Sequence, residues 1–281
     1  MTAVLWALLS AFGYGVSDFV GGIASRRVPA LRVVLISYPM AAVFLGVLAC
    51  VVGGHISSGA VLWGALCGIG QAFGVWWFYA AMAAGPMSVV SPLTAILVAG
   101  VPLGFGIAMG ERPSAVACAG ILLALVAVFL VSAQATDEDS TPHRFTAKVA
   151  WLTVGSGLAF GLNFVLIHQA PHDARLWPLV FGRLSATAVV LCVALLTRNL
   201  VAPRGLPLRL ALFASCLDTV ANVSMLLALQ GSMLSLASVL ISLYPAATVA
   251  LALVVLRERV TTWQTAGMVL ALGAVAMIAT G

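Results

Sequence analysis

Charge is what this sequence has least of. Only 7% of its 281 residues are Asp, Glu, Lys or Arg, against 63% hydrophobic, and the mean hydropathy is +1.15. Soluble domains carry roughly 25% charged and about 45–50% apolar residues, so there is too little polar surface here to coat a water-facing globule. The 13 Lys and Arg against 8 Asp and Glu form no tract and do not alternate with aromatics. A nucleic-acid partner therefore has no support. Cysteine is sparse as well: Cys50, Cys67, Cys118, Cys192 and Cys216 are scattered, odd in number and each inside an apolar run. They make neither a disulfide framework nor a metal spacing, and read as small packing residues. No phosphate loop, zinc spacing or nucleotide-binding glycine fingerprint occurs, so no metal or cofactor is expected, nor ATP-driven pumping by this chain. Residues 1–9 lack the basic start of a secretory signal and are expected to stay as part of a span.

What the sequence has is long apolar runs. A helix crossing a bilayer needs about 20 mostly apolar residues, and ten runs qualify: 2–24, 31–52, 59–83, 87–109, 114–134, 147–169, 176–197, 207–229, 233–255 and 262–280. The fold class read from them is an all-α membrane protein of ten transmembrane helices, in the lipid bilayer as multi-pass protein of the plasma membrane. Polar punctuation lies between the runs, as at Ser25-Arg26-Arg27, Gly85-Pro86 and Arg198-Asn199. The longest break, 135–146, holds Asp137, Glu138, Asp139 and Pro142 and reads as a linker between a first five-helix repeat, 1–134, and a second, 147–281.

The two halves share a register. At an offset of 147, Glu111-Arg112 meets Glu258-Arg259, Gly120 meets Gly267, and Ser88 and Ser91 meet Ser235 and Ser238. Nearer the start the offset is 146: Ser10 meets Ser156, Tyr14 meets Phe160, Gly15 meets Gly161 and Ser17 meets Asn163. An odd number of helices per repeat makes the second enter from the opposite side, the inverted arrangement of alternating-access transporters with a substrate site at the repeat interface. Loops after odd-numbered spans hold ten of the 13 basic residues, including Arg26, Arg27, Arg144, Arg198, Arg204 and Arg257, whereas Arg112 and Arg175 follow even-numbered ones. The positive-inside rule then places both termini outside the cytoplasm.

Ionisable residues within spans are Asp18, His168, Arg183 and Asp218. Such residues cost about 2.5–3.5 kcal/mol at the bilayer centre and face a cavity or a partner. Arg183 reads as an interfacial anchor or half of a structural ion pair. Tyr14, Asp18 and Gly22 recur every fourth residue; Ser215, Asp218, Asn222 and Met225 follow the three-four spacing of one face, and Asp218 meets Gln71 in the repeat register. The expected cavity lining is Tyr14, Asp18, Gln71, Trp77, Asn163, Asp218, Asn222 and Tyr244. Asp218, the most central carboxylate, is the candidate coupling or substrate-binding acid, with protons as the coupling ion; a fixed pair with Arg183 is its structural alternative. Trp76, Trp77 and Tyr79 fit either an interfacial aromatic belt or a cavity wall. Ser88, Ser91, Ser235, Ser238 and Ser242 fit either helix packing or ligand contact. Gly64/Gly68, Gly70/Gly74, Gly100/Gly104 and Gly157/Gly161 have close-packing spacing, and Pro39, Pro92, Pro102 and Pro245 mark candidate kinks. His168 and Asp173 carry a His-x4-Asp spacing known from lipid acyltransferases, without further catalytic blocks.

With Gly13-Tyr14-Gly15-Val16-Ser17-Asp18-Phe19, its counterpart Phe160-Gly161-Leu162-Asn163-Phe164, and the Gly110-Glu111-Arg112 and Arg257-Glu258-Arg259 turns, the chain resembles the drug/metabolite transporter superfamily, of the EamA type. Arg257 departs from the glycine of that turn. The resemblance implies a secondary transporter or exporter of metabolites, amino acids, sugars or drug-like solutes through a cavity between halves, and no enzyme. It also implies cytoplasmic termini, opposite to the loop charges. A membrane enzyme acting on lipid and a non-transporting scaffold or sensor are the alternatives.

Overall fold

In a bilayer core no water is present to satisfy backbone groups, so each apolar run is driven to close its hydrogen bonds within a helix. The computed structural model describes residues 2–25, 27–84, 87–132, 146–244, 246–247, 251 and 262–280, with 22, 25, 30, 79, 82–84, 87–92, 95, 131–132, 264 and 279 described by backbone only. Residues 135–145 of the 135–146 linker, Pro245 and the Arg257-Glu258-Arg259 turn lie outside these residues. Among the described residues the chain is all helical, without strands: α1 Thr2–Ser25, α2 Ala30–Val52, α3 Ser58–Ala84, α4 Met87–Ala108, α5 Ala115–Ser132, α6 Ala147–His168, α7 Trp177–Leu196, α8 Leu206–Gly231, α9 Leu234–Ile241 and α10 Thr262–Thr280. Six of them, α1 to α3 and α6 to α8, are long and apolar enough to cross a membrane; shorter apolar stretches run through α4, α5 and α10.

Helix starts are set by local chemistry. Ser57, Ser114 and Thr146 hydroxyls accept from the backbone N–H three residues on, capping α3, α5 and α6. Prolines sit in the first turns of α7 and α8, where no N–H is needed. Gly53 ends α2 at φ 75°, a backbone region that favours glycine. Helices α2 and α4 continue through Pro39 and Pro102.

The helices of the two halves interlock in matched pairs. Exchanging each helix with the one five places on converts the α1–α8 packing into α6–α3, α2–α8 into α7–α3 and α1–α9 into α6–α4, while α2–α7, α4–α9 and α5–α10 map onto themselves. This is the pattern of a pseudo-two-fold axis. It extends to single contacts. Ser17 Oγ donates to the Ala214 carbonyl at 3.1 Å, and at the corresponding positions Asn163 Nδ2 donates to the Cys67 carbonyl at 3.1 Å. Tyr14 Oη reaches Met225 Sδ at 3.4 Å where its counterpart Phe160 meets the Phe78 ring edge-on at 6.3 Å.

Glycines permit the closest approaches. A Cβ on Gly64 or Gly68 would fall on the carbonyl oxygens of Pro178 and Gly182, and one on Gly157 or Gly161 on Leu97 and Val101. Gly100 and Gly104 share the spacing but face open space; residue size alone does not determine whether a neighbour arrives. Two buried serines at α9 donate to their own helix, Ser238 to Ser235 O and Ser242 to Val239 O, whereas the buried Ser235 Oγ has no hydrogen-bond partner among the described residues.

The two ends of the bundle differ. At one, Ile167, Leu176, Leu179, Met225, Leu226, Leu229 and Leu234 form a continuous buried cluster. There His55 N donates to Asp173 O, and the Glu111 carboxylate accepts from Leu234 N at 2.5 Å and Ser235 N at 2.9 Å, capping α9 from across the halves. The Glu of the GER turn thus neutralises the positive end of a helix in the other repeat. At the opposite end Arg32 Nε donates to Asn199 Oδ1 at 3.0 Å, and the connectors α1–α2 and α7–α8, with the first turn of α8, carry Arg27, Arg198, Arg204 and Arg209.

Candidate functional site

Polar residues three or four apart in α1 share one face, and that face borders a cavity of about 200 Å³. Helix α1 supplies Tyr14, Ser17, Asp18 and Gly21; α2 supplies Val33, Val34, Ser37 and Tyr38; α8 supplies Ala214 and Asp218. From the other side come Gln71 and Val75 of α3, Val98 of α4, and Phe160, Asn163 and Phe164 of α6, with Ile241 of α9 and Tyr244 just beyond it. The lining runs from Gly21 and Val33, close to the arginine-bearing end, inward to Tyr14 and Ile241. Both halves contribute to it.

Six of the eight sequence-predicted lining residues come together here: Tyr14, Asp18, Gln71, Asn163, Asp218 and Tyr244. Trp77 and Asn222 do not line it. Trp77 covers Gly155 of α6, where the missing side chain leaves room for the indole, and its ring packs on Phe73 at 5.6 Å. Asn222 lies one turn beyond Asp218, is buried, and donates to the Asp218 carbonyl at 2.7 Å. Trp76 is half exposed and borders a second, apolar cleft with Val34 and Val75.

The two acids are in different situations. Asp218 is paired: Arg183 Nη2 lies 2.8 Å from its Oδ1 and 2.6 Å from its Oδ2. Arg183, on α7, is only 2% exposed and stacks its guanidinium 4.9 Å above the Tyr38 ring. Its Nη1 is buried without a hydrogen-bond partner among the described residues. This pair was legible as an alternative in the sequence, from two opposite charges in adjacent spans. Asp18, in contrast, faces the cavity with no hydrogen bond or ion pair to any described residue. Sequence reasoning missed Ser37 and Tyr38. The signal was there: they are adjacent polar residues inside the otherwise apolar second span.

The His168–Asp173 spacing does not form a pair among the described residues. His168 Nδ1 instead lies 3.0 Å from the Leu229 carbonyl, tying α6 to α8 at the packed end. Among the described residues no three His, Cys, Asp or Glu are grouped to hold a metal.

Comparison with known proteins gives one family and one fold. A family model described as the EamA-like transporter family matches the chain twice, at residues 1–133 and 147–280. A solved structure, described only as a crystal structure of a protein, superposes with a TM-score of 0.78 at 16% identity, covering 98% of this chain and 95% of that one. No curated protein matches.

Proposed function

We infer the activity from one premise: the chain belongs to the EamA-like transporter family. It is an integral membrane protein and a membrane transporter of small solutes. Beyond that, we propose ten spans in the plasma membrane, arranged as inverted repeats over 1–134 and 147–281 with 135–146 as linker. The repeats rock about a central cavity to expose it to alternate sides, as inverted repeats do around a site at their interface. The observation that carries this reading is the cavity itself. It is lined from both halves, by residues of helices that form the matched pairs. Tyr14, Asp18, Gln71, Asn163, Asp218 and Tyr244 are the proposed substrate contacts, and protons the proposed coupling ion. An enzyme or scaffold has no observation in its favour.

The cavity leans toward the arginine-bearing end, and the other end is packed shut. With that end cytoplasmic by the positive-inside rule, this is an inward-leaning state with both termini outside. Impermeant labelling of single cysteines at Ser57 and Thr280, on a background without native cysteines, is expected from outside intact cells; labelling only after lysis would reverse the orientation. Transport itself is tested with purified protein in proteoliposomes given a mixture of amino acids, sugars and amphiphilic drugs. Time-dependent lumenal accumulation above empty liposomes is expected, abolished in Gln71→Trp, which fills the cavity. Accumulation that Gln71→Trp leaves intact would remove the cavity from the pathway.

A further inference from the structure

The Asp218–Arg183 pair is neutral as a unit, with Arg183 Nη2 on both carboxylate oxygens and Nη1 buried without a partner among the described residues. That leaves the cavity with one carboxylate, Asp18, whose countercharge no described residue supplies. We propose that Asp18 is the specificity-determining residue and that the transported solute is an organic cation with one net positive charge and an apolar or aromatic body. The proposal rests on the transport reading and adds the substrate class to it.

Three observations support the charge assignment. Asp18 is exposed to the open cavity, so a solute that enters displaces water from its carboxylate; that loss is costly without a partner, and a cation held against it supplies one. Arg183 holds both Asp218 oxygens through Nη2 and stacks on the Tyr38 ring; its unpartnered Nη1 is buried, and the residue, 2% exposed, is not part of the cavity lining. A substrate carboxylate therefore meets no free positive group on the cavity surface among the described residues. Lastly, Tyr14, Phe160, Phe164 and Tyr244 line the same space, and aromatic faces attract cations while packing against an apolar body. Zwitterions and anions would bring a negative charge that the site leaves unpaired.

The test uses four probes with a common phenyl body on the purified full chain: phenyltrimethylammonium, phenylalanine, 3-phenylpropionate and 2-phenylethanol. Thermal-shift titration at neutral pH is expected to rank the permanent cation first, about tenfold tighter than the zwitterion, the scale of one charge-assisted contact. Asp18→Asn is expected to erase that preference, and Asp18→Glu to retain it. If Asp18→Asn does not fold, the wild-type ranking decides alone. Equal or tighter binding of phenylalanine or phenylpropionate, or no binding of the cation, overturns the proposal. Flux of the same probes into proteoliposomes separates this from failure of the transport reading. A cation that binds through Asp18 but is never carried refutes transport and leaves the charge selection standing. Carriage of phenylalanine unaffected by Asp18→Asn refutes the charge selection and leaves transport standing.

Discussion

The α1–α8 wall of the cavity and the α6–α3 wall have the same skeleton and different chemistry. Ser17 and Asn163 each reach across to a backbone carbonyl, on Ala214 and Cys67, at the same 3.1 Å. Yet on the first wall Asp18 and Asp218 stand where the second has Phe164 and Gln71, and Tyr14 stands where it has Phe160. Duplication accounts for the shared frame. Among the described lining residues the charge is confined to one wall, so a pseudo-symmetric scaffold holds an asymmetric cavity surface. Under the proposed mechanism the frame would let two halves rock as equals, while the chemistry would fix how a solute is oriented between them.

The strongest way to break the comparison is at the charged wall's own support. Arg183→Met leaves Asp218 in an apolar site without its partner, and removing one member of a buried pair costs about 3–5 kcal/mol. A large drop in thermal unfolding temperature is expected, largely restored in Arg183→Met/Asp218→Leu, because two apolar groups replace a neutral pair. Gln71→Leu, at the position matching Asp218, is expected to shift unfolding far less. Equal losses at Arg183 and Gln71 would show that the two walls are energetically alike.

Asp218→Asn sharpens the contrast without emptying space. It frees Arg183 while Asp18 keeps its charge, so the cavity offers one group of each sign. Binding is expected to turn from the phenyl cation toward phenylalanine, by about tenfold in relative affinity, read by the same thermal-shift titration. An unchanged ranking would mean that Arg183 cannot reach the cavity. Next in size is the tie at the packed end. Glu111→Gln removes the charge that caps α9, at about 1–2 kcal/mol, with the loss visible in detergent melts. No change would mean that the two N–H groups find other acceptors.

The smallest effects test the frame. Ser17→Ala and Asn163→Ala each delete one matched tie, and interhelical side-chain hydrogen bonds in membranes average about 0.6 kcal/mol. Two small, similar losses in unfolding temperature are expected. A loss several-fold larger at one site would show that the shared geometry conceals unequal loads.

Much of this was legible in the residues before any coordinates. The apolar runs placed the described helices to within a turn or so, apart from the ninth run, 233–255, of which α9 covers Leu234–Ile241 and much of the rest lies outside the described residues; length and hydrophobicity are what a bilayer selects. The 146 and 147 offsets already aligned Ser17 with Asn163, whose contacts to Ala214 and Cys67 match, and Asp218 with Gln71, which both border the cavity. What stayed illegible was rotation about each helix axis. Three-four spacing defines a broad face, and only packing decides which part of it borders the cavity. Asn222 shares its face with Asp218 yet turns onto the Asp218 carbonyl, whereas Trp77, two residues past the lining Val75, lies on another face of α3 and covers Gly155. Tyr38 was overlooked for the opposite reason: it sits in so apolar a run that its partner, Arg183 five helices later, gave no local sign.

The Arg183–Asp218 contact also bears on how the chain enters the membrane during synthesis. Its two residues belong to consecutive helices joined by residues 197–205, so α7 and α8 can pair as a hairpin before the rest of the bundle exists. Each helix presented singly to the translocation channel carries a charge penalised by about 2.5–3.5 kcal/mol; presented together they are close to neutral. Chains truncated before α8 should therefore integrate α7 less completely than chains truncated after it, as glycosylation mapping in microsomes would read. The same side chains that shape the cavity wall would then serve first as the means by which a polar helix pair is admitted to lipid.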